Sequence, residues 1–359
     1  MTNKITRNLS ERFAAMSFLC ACMIVFFHAT PAPDAGSFNW WFFHLLGREG
    51  ICCIAVPYFF VCSGYFLAGH FGEIDWWGKE VSKRVKSLVV PYFIWMSIGL
   101  VFSLCVVYAK NRFFHAATQN EFLLLPSWER IMLYLGMHPF RDIGVLWYVR
   151  TLFLFVLVSP AIFFFLRWPI KMVCILLVLH LVASYLFVGV LDIDMYFILD
   201  RFISIRGLLY FFLGAALRTG RFDLDTIKIP AYVGWLVLCL GVLFLGVKNL
   251  LQLASDGGLR GVVEALSVPF LIVGSWSILP VRGWMKGLAV YSFPIFLMHN
   301  IFLSLVSMVF MAVGLRDSVA MQIPIALLRT MCAIVGAIVV ATSIKRVIPK
   351  LYFVMFGGR

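Results

Sequence analysis

The chain is a succession of apolar runs, each close to the ~20 residues a helix needs to cross a bilayer. Short breaks rich in charge, Gly or Pro separate them. Ten such runs lie near residues 12–29, 50–68, 88–109, 145–166, 172–191, 202–217, 230–247, 262–279, 288–312 and 320–343. A hydrocarbon interior admits only structures that satisfy their own backbone hydrogen bonds, so runs of this length fold as helices. The expected fold is all-α, a polytopic membrane bundle of about ten spanning helices that forms a single domain over residues 1–359. The sixth run is short. Phe42–Leu46 and Met132–Met137 are apolar but too brief to cross, and are expected to lie in the interface or to re-enter. Hydrophobic residues make up 62% of the chain and charged residues only 13%, where soluble domains have about half and a quarter. A water-soluble enzyme, a disordered scaffold and an ordinary nucleic-acid binder are thereby excluded.

The net charge of +13 then reads as topology. Under ten spans, most of the Lys and Arg fall on one face, in the segments Lys4–Arg12, Lys79–Lys86, Arg167–Lys171, Arg218–Lys228, Arg282–Lys286 and Lys345–Lys350. The positive-inside rule assigns that face, and with it both termini, to the cytoplasm. The first run, preceded by Lys4, Arg7 and Arg12, resembles a signal peptide. It has no small-x-small cleavage site before Pro31 and is read as retained. All nine cysteines sit in apolar stretches without a C-x-x-C pair, so neither a disulfide framework nor a metal site is expected. Lys110–Gly144 reads as the one long outer loop, a length that often serves function.

A few residues stand out against this background. His28 follows Phe26 and Phe27 near the outer end of the first run. There a neutral imidazole suits a general base, and a histidine snorkelling to the interface is the competing reading. Lys83, Arg84 and Lys86 precede the third run. They suit either a phosphorylated cofactor or an anchor beside anionic lipid. Arg150, Arg206, Glu264 and Arg329 are ionisable residues within spans or at their outer edges. They are expected to share the outer half of the membrane with His28, as an inward-facing polar cavity or as separate snorkelling side chains. His299, in the middle of the ninth run, is expected to hydrogen-bond a neighbouring helix. Ser63-Gly64 suits a close helix contact.

Taken together, these segments resemble the acyltransferase 3 family of membrane acyltransferases. Phe26-Phe27-His28-Ala29 is similar to the end of that family's histidine-bearing first helix. Val56-Pro57-Tyr58-Phe59-Phe60-Val61-Cys62-Ser63-Gly64-Tyr65 is similar to its F-F-x-x-S-G-[YF] signature. Lys83-Arg84-Val85-Lys86, leading to Pro91-Tyr92, is similar to its basic run before P-Y. Leu146-Trp147-Tyr148-Val149-Arg150, Phe211-Phe212-Leu213-Gly214 and Ser292-Phe293-Pro294 to His299 match later landmarks in the same order. The resemblance implies transfer of an acyl group, commonly acetyl from acetyl-CoA, to a hydroxyl of a cell-surface or lipid-linked glycan.

In that reading His28 is the catalytic base, and Lys83, Arg84 and Lys86 face the acyl donor. Ser63, Tyr65, Tyr148, Arg150, Arg206, Arg329 and Glu264 are candidates for the acceptor or the oxyanion. No permanently bound cofactor is expected, only acetyl-CoA or another acyl-CoA as co-substrate. The expected partners are membrane lipid and a saccharide acceptor, not nucleic acid, in a cell membrane such as a bacterial inner membrane. No appended soluble domain is expected. Two positions depart from the family pattern: Ser17 stands where an Arg eleven residues before the His is common, and Ser87 stands at the second Arg of R-x-x-R. Both bear on donor contacts, since Lys does not reproduce a bidentate guanidinium. The rival reading is a multi-pass transporter or flippase of a sugar or small polar solute, against which the lack of a visible internal repeat counts.

Overall fold

The computed structural model describes residues 5–47, 50–115, 119–138, 144–186, 204–219, 224, 229–253, 257–280, 283–314 and 319–358. Every regular element among them is helical. The first half holds α1 (Arg7–Ala29), α2 (Phe38–Leu46), α3 (Ala55–Ala68), α4 (Trp76–Arg84), α5 (Val90–Phe114), α6 (Glu121–Leu124), α7 (Ser127–Tyr134) and α8 (Leu146–Phe164). The second half holds α9 (Pro169–Tyr185), α10 (Ile205–Thr219), α11 (Ala231–Leu253), α12 (Gly257–Ile278), α13 (Gly283–Ala289), α14 (Ser292–Ala312), α15 (Gln322–Val347) and α16 (Pro349–Phe356). Eight apolar stretches among the described residues are long enough to cross a bilayer. This is a polytopic helical bundle.

Ten spans were expected, and eight of them coincide with long apolar stretches among the described residues; the fifth and sixth coincide with short helices. Helices α9 and α10, of 17 and 15 residues, rise about 23–26 Å, short of a ~30 Å hydrocarbon core. The rest of those two expected spans, 187–191 and 202–203, lies outside the described residues. The third span starts well before its expected boundary, because α4 runs into α5 through a π-helical turn at Val85–Val89. Pro91 explains the turn. It has no N–H for the Ser87 carbonyl, and its ring would collide with that carbonyl in a regular helix.

The expected outer loop is also different. After α5 the chain forms α6 and α7 and folds back along α5, where the Tyr134 hydroxyl lies 2.9 Å from Ser97 Oγ and the Tyr92 hydroxyl donates to the Tyr134 carbonyl at 3.4 Å. The apolar piece at Met132–Met137 thus belongs to a re-entrant segment.

Two sequence landmarks meet in the packing of α3 on α10. A Cβ on Gly64 would fall on the Phe211 carbonyl, and a Cβ on Gly214 would fall on the Val61 carbonyl. The two backbones therefore touch through a reciprocal pair of glycines, the small-residue contact by which membrane helices approach closely.

Helix α15 runs antiparallel to α14, with Thr342 Oγ1 bonded to the Tyr291 hydroxyl at 3.0 Å and Phe302 facing Gly336. Helix α1 runs parallel to α14: Ser17 shares a cavity with Ser292, and His28 lies beside His299. That alignment corrects the expected depth of His28. Its level on α14 is about 10 Å from the start of that helix and about 20 Å from its end. Helix α1 thus ends inside the bundle rather than at an outer edge.

Candidate active site

Helix α1 stops where it does because the residue before a proline is driven out of the helical region. Thr30, ahead of Pro31, is extended at φ −71° and ψ 133°, and its hydroxyl closes the helix by donating to the Phe27 carbonyl at 2.8 Å. His28 is left in the last turn with its ring exposed. Behind it lies His299, wholly buried, with ring centroids 5.0 Å apart. His299 Nδ1 is 2.7 Å from the Phe296 carbonyl and 3.3 Å from that of Ile295. A carbonyl only accepts, so Nδ1 carries the hydrogen and Nε2 keeps its lone pair. Nε2 is buried and makes no hydrogen bond. The partners of His299 are thus carbonyls of its own helix, not of a neighbouring one as the sequence suggested.

Three cavities lie around this pair, and His28 lines two of them. The first, about 330 Å³, is lined by Ser17, Ser63, Arg84, Tyr148, Phe293 and Phe296. The second, about 300 Å³, is lined by His28, Tyr148, Arg206, Arg260, Glu264 and Phe296 among others. The third, about 330 Å³, includes His28, Lys110, Asn300, Ser304, Ser307 and Arg329. His28 borders the second and third. Tyr148 and Phe296 border the first and second, their rings 5.6 Å apart and nearly perpendicular, and so form a partition between Arg84 and His28. The Tyr148 hydroxyl lies 3.4 Å from Ser63 Oγ on the Arg84 side of that partition.

Residues 15–346 match the family model of acyltransferase 3, described as an acyltransferase domain. The chain belongs to that family. Searches of curated proteins and of solved structures returned no match.

In this acyltransferase the singled-out residues fall into separate places. Arg84 turns inward to the first cavity, while Lys83 and Lys86 line a surface groove with Lys79, Trp76 and Trp77. Glu80, itself buried, lies 3.2 Å from Lys83 Nζ and 3.3 Å from Arg84 Nε. Ser63, Tyr148, Arg206 and Glu264 come together around the first two cavities, and Arg329 lines the third. Tyr65 points away, beneath the Arg218 guanidinium at 5.2 Å and against Phe13 at 5.0 Å. Arg150 donates to the Gly136 carbonyl and so fastens the re-entrant segment to α8. At about 100° per residue, two positions on from Tyr148 lies the far side of the helix.

Two further basic residues that the sequence did not single out border the site. Lys248 is wholly buried, and its Nζ lies 3.8 Å from Glu264, which is also 3.8 Å from Arg206. Arg260 lines the His28 cavity. Lys248 lies with Asn249 at the end of the buried stripe that includes Gly241 and Leu245 on α11, and the i, i+4, i+7 spacing of Gly241, Leu245 and Lys248 was the available signal.

The departures from the family pattern acquire a structural setting. Ser17 lines the cavity of Arg84. Arg12 does not replace the missing guanidinium there, because it donates to the Trp276 carbonyl at 3.1 Å in a separate pocket beside Tyr65. Ser87 is buried under the tail, where Gly357 lies against its backbone and Trp95 Nε1 donates to the Met355 carbonyl at 2.9 Å. A long side chain has no space there. Arg84 is the one cation lining this cavity among the described residues.

Proposed function

We propose that this acyltransferase moves an acyl group, acetyl in the simplest case, from acyl-CoA to a hydroxyl of a cell-surface or lipid-linked glycan, with His28 as general base. The observation that carries this reading is the shared lining: His28 lines two cavities away from Arg84, and one of these has Tyr148 and Phe296 in common with the Arg84 cavity. The basic face favours the cytoplasm for both termini and for Arg84, in a cell membrane such as a bacterial inner membrane. Acyl-CoA then docks its phosphates toward Arg84 and the Lys83–Lys86 groove and extends its thioester past Ser292. The reach is modest, since Ser292 and His299 are about 10 Å apart along α14.

Each step has a residue to perform it. The acceptor hydroxyl gives its proton to His28. Its oxygen then attacks the thioester carbonyl, and the O–H groups of Tyr148 and Ser63 are placed to steady the developing oxyanion. The carbon–sulfur bond breaks as the tetrahedral state collapses. His28 returns its proton to the departing CoA thiolate, and the acyl oxygen ester remains on the glycan. His299 holds its unprotonated Nε2 in the wall behind His28 and is a positioning residue in this scheme.

Membranes containing the protein, given radiolabelled acetyl-CoA and a lipid or glycan extract, are expected to transfer label to glycan. His28→Ala at equal expression is expected to lose that transfer. Full transfer by the variant overturns the assignment. Solute movement by both proteins, without transfer by either, favours the transporter reading.

A further inference from the structure

The third cavity carries more positive charge than acyl transfer uses. It rises from His28 along one face of α14, whose lining positions Asn300, Leu303, Ser304, Ser307, Met308 and Met311 follow helical spacing over about 16 Å. Lys110, from the far part of α5, and Arg329, from α15, complete its walls, and no carboxylate lines it among the described residues. The contrast with the adjoining cavity is direct, since there Glu264 answers both Arg206 and Lys248. Neither Lys110 nor Arg329 has an ion-pair partner among the described residues, and Arg329 Nε is buried without a hydrogen bond.

Arg329 also lies deep. It is about 10 Å into α15 from Gln322, a depth at which an ionised side chain without a partner is costly and functional by default. Phe302 faces Gly336 on the antiparallel neighbour, which brings Arg329 level with the last turns of α14, about 10–15 Å from the His28 level. The cavity thus presents two cations at one end and a base at the other, with neutral hydrogen-bonding groups between.

We propose that this cavity is the acceptor site and that it selects an acidic acceptor. Arg329 and Lys110 hold a carboxylate or phosphate of the saccharide while a hydroxyl on another unit reaches His28. This rests on the acyl-transfer reading of His28 and adds the substrate class to it. The separation exceeds the span of one sugar ring, so the anionic group and the acylated hydroxyl belong to different units.

The test uses the full-length protein in phosphatidylcholine nanodiscs, with binding measured by calorimetry. The probes are a uronic-acid tetrasaccharide, the neutral tetrasaccharide of the same linkage, and inorganic pyrophosphate. Wild type is expected to prefer an anionic probe to the neutral one. Arg329→Gln and Lys110→Gln are each expected to weaken the anion by about tenfold, as loss of a charge-assisted bond does, with the neutral probe unchanged. Arg329→Lys keeps most of the affinity and controls for misfolding.

Tighter binding of the tetrauronate identifies a carboxylate as the group held, and tighter binding of pyrophosphate identifies a phosphate. Equal binding of charged and neutral probes, or anion binding indifferent to both Gln variants, overturns the proposal. Binding by His28→Ala separates the two readings. A variant that binds anions but transfers nothing supports both. Label transfer that depends on His28 without any anion preference leaves the catalytic reading standing and removes this one. Anion preference with label transfer indifferent to His28 does the reverse.

Discussion

The imidazoles of His28 and His299 lie 5.0 Å apart with their planes inclined by 38°, and only one of them is exposed. His299 donates Nδ1–H to its own helix, which leaves Nε2 as a buried acceptor in the wall behind His28. No hydrogen bond reaches that nitrogen, so it bears on His28 through the polarity of the wall rather than through a direct bond. His28→Ala is expected to lower kcat by at least about 10²-fold. His299→Leu removes the acceptor without touching substrate. It is expected to lower kcat by at least about tenfold and to move the pH profile of kcat, with KM for acetyl-CoA little changed. Steady-state kinetics across pH in nanodiscs checks this, and an unmoved pH profile argues for a merely structural histidine.

Gly64 and Gly214 hold α3 against α10 backbone to backbone. Overpacking such a contact costs about 1–3 kcal/mol, so Gly64→Ala and Gly214→Ala should each lower the thermal midpoint in detergent. The two substitutions open the same gap. The double variant should therefore lose clearly less than the sum of the single losses. Strict additivity in the melting curves counts against the shared contact.

Much of this was readable in advance, and what was not has a common physical origin. Apolar runs report that a helix crosses, and Ser63-Gly64 suited a close helix contact, which Gly64 makes with α10. The partners, Tyr148 for Ser63 and α10 for Gly64, came only with the fold. Periodicity carries no information on how far one helix slides along another, so the depth of His28 became clear only when α1 was aligned with α14. Rotation about a helix is equally hidden at a single position. Tyr148 and Arg150 are two residues apart and face opposite ways, and Lys248, next to an outer loop in sequence, turns inward. Only the Met132–Met137 end of the α6–α7 segment was anticipated; Glu129 and Arg130 make the rest look like solvent-exposed loop, while Arg130 is spent on the Leu125 and Leu123 carbonyls at 2.7 and 2.8 Å.

Arg84 and its lysine neighbours divide the basic cluster between an interior and a surface. The guanidinium lines the first cavity with Ser17, while Lys83 and Lys86 border the open groove. A charged hydrogen bond to phosphate within a recess is worth more than one in water. Arg84→Ala is thus expected to raise KM for acetyl-CoA by roughly tenfold or more. Lys83→Ala and Lys86→Ala are each expected to raise it by no more than about threefold, with an effect that fades as salt rises. Initial rates at two ionic strengths separate the classes, and equal responses from all three variants would reject the division.

Lys248 and Glu264 offer the sharpest test of the second cavity as a structural ion network. Lys248 is wholly buried and has Glu264 at 3.8 Å, with Arg206 at the same distance on the other side of the carboxylate. Removing the carboxylate takes one charged partner from a buried ammonium, and breaking a buried pair on one side costs about 3–5 kcal/mol. Glu264→Leu alone should therefore lower stability steeply. Lys248→Met alone should be milder, because Glu264 keeps Arg206. The double variant Lys248→Met/Glu264→Leu replaces the pair by apolar volume and should recover much of the loss, as buried pairs replaced together often do. Thermal melts of the four proteins in one detergent close the cycle. If Glu264→Leu proves as mild as Lys248→Met, the carboxylate is not what keeps the ammonium in place.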